Sequence, residues 1–123
     1  MATPVKTKSQ GTKSGEGVID YLPEVYKDFV KRYPDINKAY EDLADKCHEA
    51  GPLDKKARRL IKLGIAIGIN SEGSVRSHTR RAVEEGISPE EIRQVVLLGF
   101  TTVGFPYMIA AYKWVEEVLE KAR

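Results

Sequence analysis

Cysteine is nearly missing from the chain, since Cys47 is its one cysteine in 123 residues. A single cysteine can form neither an intramolecular disulfide nor a CxxC motif, so the sequence excludes a disulfide scaffold and a dithiol mechanism. The two histidines, His48 and His78, are far apart and lie in no Cys/His cluster, so we expect no metal site. The chain also lacks a phosphate-binding glycine loop and a dinucleotide fingerprint, and we expect no cofactor.

An excess of charge of one sign is also missing. Lysine and arginine total 20 and aspartate and glutamate total 18, which gives a net charge of +2. The first 17 residues account for that excess, so nothing in the remaining chain favours binding of a nucleic acid. Residues 1–17 are rich in Gly, Ser, Thr and Lys, which predicts a disordered or arm-like tail before a single domain over residues 18–123.

No stretch of the sequence reads as a signal peptide or a membrane span. The first residues lack the apolar core of a secretory signal. Val95–Tyr112 carries no charge and reaches the lower limit of spanning length, but Pro106 would break a helix in its middle. We therefore favour a buried helix, break and helix over a membrane span, and we expect a cytoplasmic protein without a membrane partner.

What the chain does have is helical periodicity, which predicts an all-α fold of about six helices. The predicted helices run from Val18 to Tyr33, from Ile36 to Cys47, from Asp54 to Ile69, from Glu72 to Glu85, from the capping sequence Ser88-Pro89-Glu90-Glu91, and from the Gly104-Phe105-Pro106 break to the C-terminus. Cys47 falls on the apolar face of the second helix, so we favour a small buried side chain over a reactive thiol.

The third predicted helix is unusually apolar. Between Leu60 and Ile69 only Lys62 is polar, so this helix should be buried nearly all round. The alternating isoleucines of the same stretch leave a strand as the competing interpretation. On a helix, Gly64 and Gly68 would form a flat face that permits close approach of another helix.

The segment from Ser71 to Thr79 carries the candidate chemistry. Ser71, Ser74 and His78 are spaced three and four apart, so they share one face of the fourth helix. The two serines lie at the N-terminus of that helix, which favours an anion. A histidine with a pKa near neutrality is suited to general acid/base catalysis.

Lys56 to Thr79, followed by the Gly86–Ser88–Glu91 turn, resembles the core motif of the carboxymuconolactone decarboxylase and alkylhydroperoxidase D-like family. That motif is a glutamate, an apolar helix and then CxxCxxxHT, and the resemblance extends over residues 53–110. Position by position, Ser71 and Ser74 stand in the cysteine places, His78 matches the histidine, and Arg59 stands where the glutamate belongs.

These departures decide which family activity is open to the chain. The thiol members, to which the family's peroxiredoxin activity belongs, reduce hydroperoxides with the cysteine pair and a relay of histidine and glutamate. A serine offers no thiolate, and Arg59 is permanently protonated and cannot act as a base. The resemblance therefore implies a non-thiol member, like the decarboxylases of γ-carboxymuconolactone.

As a lyase, this chain would use His78, Ser71 and Ser74 as catalytic residues and Arg59, Arg76 and Arg81 to hold a small carboxylated substrate. The alternative is a non-catalytic oligomeric binding or scaffold protein. In that case Ser71 is simply an N-cap, Ser74 has no role and His78 is structural. The remaining charges of the fourth helix then form a solvated or intersubunit face, made by Arg80, Arg81, Glu84 and Glu85.

The resemblance also implies a homo-trimer or hexamer with sites near the subunit contacts. Two features of the sequence agree with an oligomer. Val95–Tyr112 is strongly apolar, and the first turns of the third helix carry several cations that oppose the helix dipole, which favours a packing, subunit-contact or ligand role for them.

We predict that the protein has no thiol-dependent peroxidase activity. The wild type, Cys47→Ser and His78→Ala should consume hydroperoxide equally slowly, because no cysteine occupies the site. Peroxide consumption in a coupled assay tests this. Activity that disappears in Cys47→Ser would show instead that the lone thiol has taken over the reaction.

Overall fold

The computed structural model describes residues 23–122, which form six helices and no strand. The helices are α1 Glu24–Arg32, α2 Pro34–Glu49, α3 Lys55–Gly68, α4 Glu72–Glu84, α5 Pro89–Val103 and α6 Phe105–Ala122. The all-α prediction is confirmed. α1 and α2 belong to one compact unit and α3 to α6 to another. The predicted tail over residues 1–17 lies outside the described residues, and the single domain over residues 18–123 stays a prediction.

The first unit is a pair of helices joined at Tyr33. Pro34 occupies the first turn of α2, where its missing N–H leaves no bond unmade, so α1 ends before it as predicted. Cys47 is exposed, and the expectation that it is buried is wrong. Its neighbours on the same stripe, Ile36 and Leu43, are 58% and 60% exposed. Amphipathic spacing gave this stripe its apolar side chains, but no second layer among residues 23–52 covers them.

The second unit has a core shared by all four of its helices. α4 packs against α3 and α6, and α5 packs against the same two helices. Burial of this apolar surface is the main force that holds the four helices together. The core consists of Leu63, Ala66, Ile67, Val75, Ala82, Ile87, Ile92, Val96, Met108, Ala111, Val115 and Leu119.

The Leu60–Ile69 stretch is helical, and the competing strand interpretation is wrong. A Cβ added to Gly64 would lie 3.7 Å from the side chain of Val95, and one added to Gly68 would lie 4.0 Å from Val103. Both contacts are with α5, so the predicted close approach of another helix is confirmed. A Cβ at either glycine would make an ordinary van der Waals contact, so alanine fits there, whereas a bulkier side chain would meet the packed α5.

The outer surface of the second unit is more apolar than the sequence led us to expect. On α3, Ile61 and Ile65 are 47% and 59% exposed, and Ile69 at its C-cap is 67% exposed, so this helix is not buried all round. On α5 and α6 the exposed large apolar residues are Leu97, Leu98, Phe100, Phe105, Tyr107, Ile109 and Tyr112. The expectation of a wholly buried Val95–Tyr112 region is therefore wrong as well. Four helices have one shared interior, and each turns its far face away from it.

Within residues 23–122 no helix combines the length and apolar character that crossing a membrane requires. α5 ends at Val103, and Gly104 separates it from α6. Gly104 has φ 97° and ψ 168°, a backbone conformation that residues with a Cβ rarely adopt. The predicted break is therefore confirmed, while the cytoplasmic location stays a prediction.

Capping hydrogen bonds within the chain fix where α3 and α5 of the second unit begin. Asp54 caps α3 by accepting from the N–H of Ala57 at 2.8 Å. The Ser88 and Glu91 side chains form the predicted capping box of α5, with both reciprocal bonds present. Lys56 Nζ lies 2.6 Å from Glu91 Oε2 and ties the start of α3 to α5.

Candidate active site

His78 lies in the second half of α4 and is 3% exposed. Its Nδ1 atom lies 2.9 Å from Nη1 of Arg59, which belongs to the first turns of α3. Arg59 is itself only 7% exposed. The structure thus brings together two residues of the predicted site, and it does so by direct contact between the guanidinium and the imidazole.

The other side of the Arg59 guanidinium is bound by Glu85, the C-cap residue of α4. Arg59 Nε donates to Glu85 Oε1 at 3.2 Å, and Arg59 Nη2 donates to Glu85 Oε2 at 2.9 Å. This two-pronged geometry is the strong form of an arginine–carboxylate pair. The Glu85 side chain is 15% exposed, so the chain Glu85–Arg59–His78 connects α3 with α4 in a largely buried setting.

The contact with Arg59 determines which nitrogen of the neutral imidazole ring carries the proton. Arginine is a donor and never an acceptor, so His78 Nδ1 must accept. The ring proton of the neutral side chain is therefore on Nε2. That Nε2–H group makes no hydrogen bond to any residue between 23 and 122. Buried donors are almost always satisfied, so the partner of this N–H is to be sought outside the described residues, and a ligand or a water molecule is one that would fit.

Burial, as the largest cause, and the positive charges of Arg59, Lys62 and Arg81 together lower the pKa of His78 to about 2. The expected pKa near neutrality is therefore wrong for this residue. His78 is neutral throughout the physiological range, which removes it as a general acid in the imidazolium form. What the ring offers to a bound molecule is the N–H of Nε2.

Ser71 and Ser74 lie at the N-terminus of α4, on the face that carries His78. Ser71 is the N-cap, and its Oγ accepts from the N–H of Ser74 at 3.4 Å. The N-cap interpretation of Ser71 is thus confirmed, and a catalytic role of either serine stays a prediction. Both residues are half-buried.

The predicted arginines divide into two groups. Arg81 follows His78 by three residues on the same helix face, and its charge acts on the imidazole. Arg76 precedes His78 by two residues, which turns it about 200° around the helix. There it binds Glu72 at 3.0 Å and Glu117 at 2.6 Å, so the structure does not bring Arg76 to His78. Its charge is already balanced by two carboxylates.

The sequence interpretation missed Glu85 and misjudged Arg80. Both were assigned to a solvated or intersubunit charged face, but Arg80 is 8% exposed and Glu85 is paired with Arg59. A signal for Glu85 was present in the sequence. Glu85 follows His78 by seven residues, two helical turns, and therefore belongs to the same side of α4.

A separate groove of about 400 Å³ lies between the end of α4, the start of α5 and the end of α6. Val83, Arg93 and Glu116 are among its lining residues, and His78 is not. Arg93 binds Glu116 through two hydrogen bonds of 2.7 and 3.0 Å. This pair occupies two of the charged groups of the groove, and His78 does not line it, so we base the candidate site on His78.

Comparison with known proteins identifies the family. The model of the carboxymuconolactone decarboxylase family matches residues 34–117, and the chain belongs to that family. An uncharacterised protein of Methanocaldococcus jannaschii is 29% identical over 104 residues, which are 84% of this chain and 94% of the relative. A second protein of that organism is 29% identical over 99 residues, 80% of this chain and 95% of the relative.

Two further similar proteins are an enzyme and a protein of known structure. The nitrosuccinic acid decarboxylase of Metarhizium robertsii is 34% identical over 73 residues, which are 56% of this chain and 51% of that enzyme. A carboxymuconolactone decarboxylase family protein of Legionella pneumophila superimposes with a TM-score of 0.69 at 23% identity. That likeness covers 89% of this chain and 96% of the other, and it shows the helical fold.

We predict a specific loss of stability in acid from His78. Its folded pKa of about 2 lies below the unfolded value of about 6.5, so the unfolded state binds the proton first as the pH falls. This contribution to stability is complete above pH ~6.5 and declines below it. Between pH ~8 and pH ~5 the wild type should lose about 2 kcal/mol more than His78→Gln.

Urea unfolding of both proteins across that range measures the difference. Every other residue is the same in both proteins, so the comparison isolates the contribution of His78. Equal acid sensitivity of the wild type and His78→Gln would contradict a buried, neutral His78.

Proposed function

We propose that this member of the carboxymuconolactone decarboxylase family is a lyase that removes CO₂ from a small carboxylated compound without using a thiol. One observation carries the proposal. The buried imidazole of His78 is held at Nδ1 by Arg59, 2.9 Å away, while its Nε2–H has no protein partner among the described residues. A polar group held in this way is the kind of fixed donor that stabilises developing negative charge.

The reaction breaks the bond between the carboxylate carbon and its neighbouring carbon. CO₂ leaves, and the electron pair remains on the neighbouring carbon, from where it delocalises onto a conjugated carbonyl or nitro oxygen. His78 Nε2–H donates a hydrogen bond to that oxygen as its negative charge grows. Protonation of the carbon by water then completes the reaction. No step requires His78 to gain or lose a proton, which agrees with its lowered pKa.

The charges around His78 favour an anionic substrate. Arg59, Lys62 and Arg81 act on the imidazole, and Arg59 is paired with Glu85. The contacts to His78 and Glu85 use three of the five N–H groups of Arg59. Its two remaining N–H groups, Arg81, and the hydroxyls of Ser71 and Ser74 are the groups we assign to the substrate carboxylate.

The name of the Metarhizium robertsii relative supports this reaction class. In nitrosuccinic acid a carboxylate and a nitro group are close together, so loss of CO₂ places negative charge on nitro oxygens. Such an oxygen is the acceptor that a fixed Nε2–H donor requires. Carboxylated lactones offer a carbonyl oxygen for the same purpose.

We predict that His78→Gln lowers kcat for decarboxylation by about 100-fold or more, the usual effect of removing one such donor. Release of CO₂ from γ-carboxymuconolactone, nitrosuccinate and related acids is the measurement. His48→Gln is the matched control, because it removes the other histidine and should leave the rate unchanged. Equal rates in the wild type and His78→Gln would contradict the proposal.

The second candidate is a non-catalytic protein that keeps the fold and binds a small anion. The observation that favours it is the 3% exposure of His78, which fits a structural histidine. The same assay separates the two candidates. If no acid of the panel releases CO₂ but some of them raise the thermal midpoint of the wild type, and not that of Arg81→Gln, binding without catalysis is the better interpretation.

We also propose that the protein works as a homo-trimer or hexamer. The support is the uncovered apolar surface of the second unit, where Ile69 at the C-cap of α3 is 67% exposed and Leu98 on α5 is 60% exposed. Apolar patches of this kind are typical of protein–protein contacts. A second copy of the chain is the partner that the family assignment favours.

Light scattering should therefore give a mass of three or six times 13.8 kDa. Leu98→Glu should shift the protein toward smaller species, because a carboxylate resists burial in an apolar contact. Gln94→Glu adds the same charge to an exposed position of α5 and should leave the mass unchanged. A monomeric wild type would contradict the proposal.

A further inference from the structure

We propose that Glu85, acting through Arg59, is a positioning residue that keeps the ring proton of His78 on Nε2 and so restricts the site to substrates with an acceptor oxygen. The inference rests on the proposed function for its chemical meaning. The position of the ring proton of His78, however, is argued from contacts between three side chains. It can be measured without any substrate.

The first step is the contact between Glu85 and Arg59. Two hydrogen bonds of 3.2 and 2.9 Å hold the guanidinium plane by its Nε and Nη2 groups. This leaves the Nη1 group directed at His78 Nδ1, 2.9 Å away. An arginine side chain has many rotamers, and the carboxylate of Glu85 selects the one that reaches the imidazole.

The second step concerns the other charges around His78. From α3 the imidazole is influenced by Arg59 and Lys62, and from α4 by Arg81, all of which are cations. Arg59 is the one with a hydrogen bond to the ring in the structure. The others disfavour the imidazolium, but only Arg59 distinguishes between the two ring nitrogens.

The third step is the consequence for a ligand. A carboxylate at position 59 would accept from Nδ1–H and leave Nε2 as an acceptor, able to remove a proton from a substrate. Arg59 imposes the opposite arrangement, in which Nδ1 accepts and Nε2 donates. The site therefore fits a carbonyl, carboxylate or nitro oxygen, and it does not fit a hydroxyl or thiol that must lose its proton to the histidine.

Nuclear magnetic resonance of the ¹⁵N-labelled full chain tests the wild type first. We expect His78 to show an unprotonated Nδ1 and a protonated Nε2 from pH ~8 down to pH ~4, and a coupling across the hydrogen bond between Arg59 Nη1 and His78 Nδ1. A protonated Nδ1, or a ring that becomes imidazolium within this range, would overturn the proposal even if no variant folds.

The variants then isolate Glu85. In Glu85→Ala the guanidinium loses its anchor, so the coupling between Arg59 Nη1 and His78 Nδ1 should disappear and part of the ring population should carry its proton on Nδ1, as in Arg59→Met. The double variant should show no further change, because both changes interrupt the same chain of contacts. The control is Glu84→Ala, which removes the neighbouring carboxylate and should leave the ring unchanged. A ring proton that stays wholly on Nε2 in Glu85→Ala, with the coupling to Arg59 intact, would overturn the proposal.

A charge exchange gives the most direct test. Arg59→Glu combined with Glu85→Arg keeps an ion pair between α3 and α4 but places a carboxylate beside Nδ1. The ring proton should then move to Nδ1, which a merely structural ion pair would not cause. A proton that stays on Nε2 in the exchanged, folded protein would contradict the inference.

These measurements remain separate from the test of the proposed function. A wild type with the expected protonation but no decarboxylase activity refutes the lyase and leaves the inference standing. Decarboxylase activity with a protonated Nδ1 refutes the inference and leaves the lyase standing.

Discussion

The ion pair between Arg59 and Glu85 is the interaction on which the rest of the site depends. It joins the first turns of α3 to the end of α4, and both side chains are largely buried. Charges removed from water are tolerated when each finds a partner, whereas a single stranded charge costs about 3–5 kcal/mol. The two helices therefore cannot shift relative to each other without separating this pair. His78 lies on α4 in direct contact with Arg59 of this pair, so its position depends on the pair as well.

Local backbone chemistry makes this pair possible. Glu85 is the C-cap residue of α4, directly before Gly86, whose φ of 83° turns the chain away. The helix therefore ends with the carboxylate on the side that faces α3. On the opposite side of α3, Gly64 and Gly68 let α5 approach closely. α3 is thus fixed from two directions, by packing against small residues and by a charged pair, and the orientation of the Arg59 guanidinium follows from both.

The elements that sequence predicted well are those set by neighbours in the chain. The Ser88–Glu91 capping box, the interruption at Pro34 and the N-cap at Ser71 all depend on residues within one helical turn. Burial was predicted less well, because an apolar stripe such as that of Cys47 does not specify what covers it. The partner of Arg59 was missed for the same reason. Glu85 is 26 residues away, and only the packing of α3 against α4 brings the two together.

The differences between this site and the thiol members of the family form one consistent change. Serines at positions 71 and 74 mean that the site has no thiolate. Without a thiol, there is no acidic group from which a basic histidine could accept a proton. A cation at position 59 then becomes compatible with the site, since it stabilises a neutral imidazole at Nδ1. What remains is a buried N–H donor among positive charges, on a ring whose lowered pKa keeps it neutral near neutral pH. An arrangement of this kind is poorly suited to moving protons and well suited to stabilising negative charge that a substrate develops by itself. Loss of CO₂ from an acid that can delocalise the electron pair left behind is such a reaction, and for this reason we prefer the lyase to the scaffold.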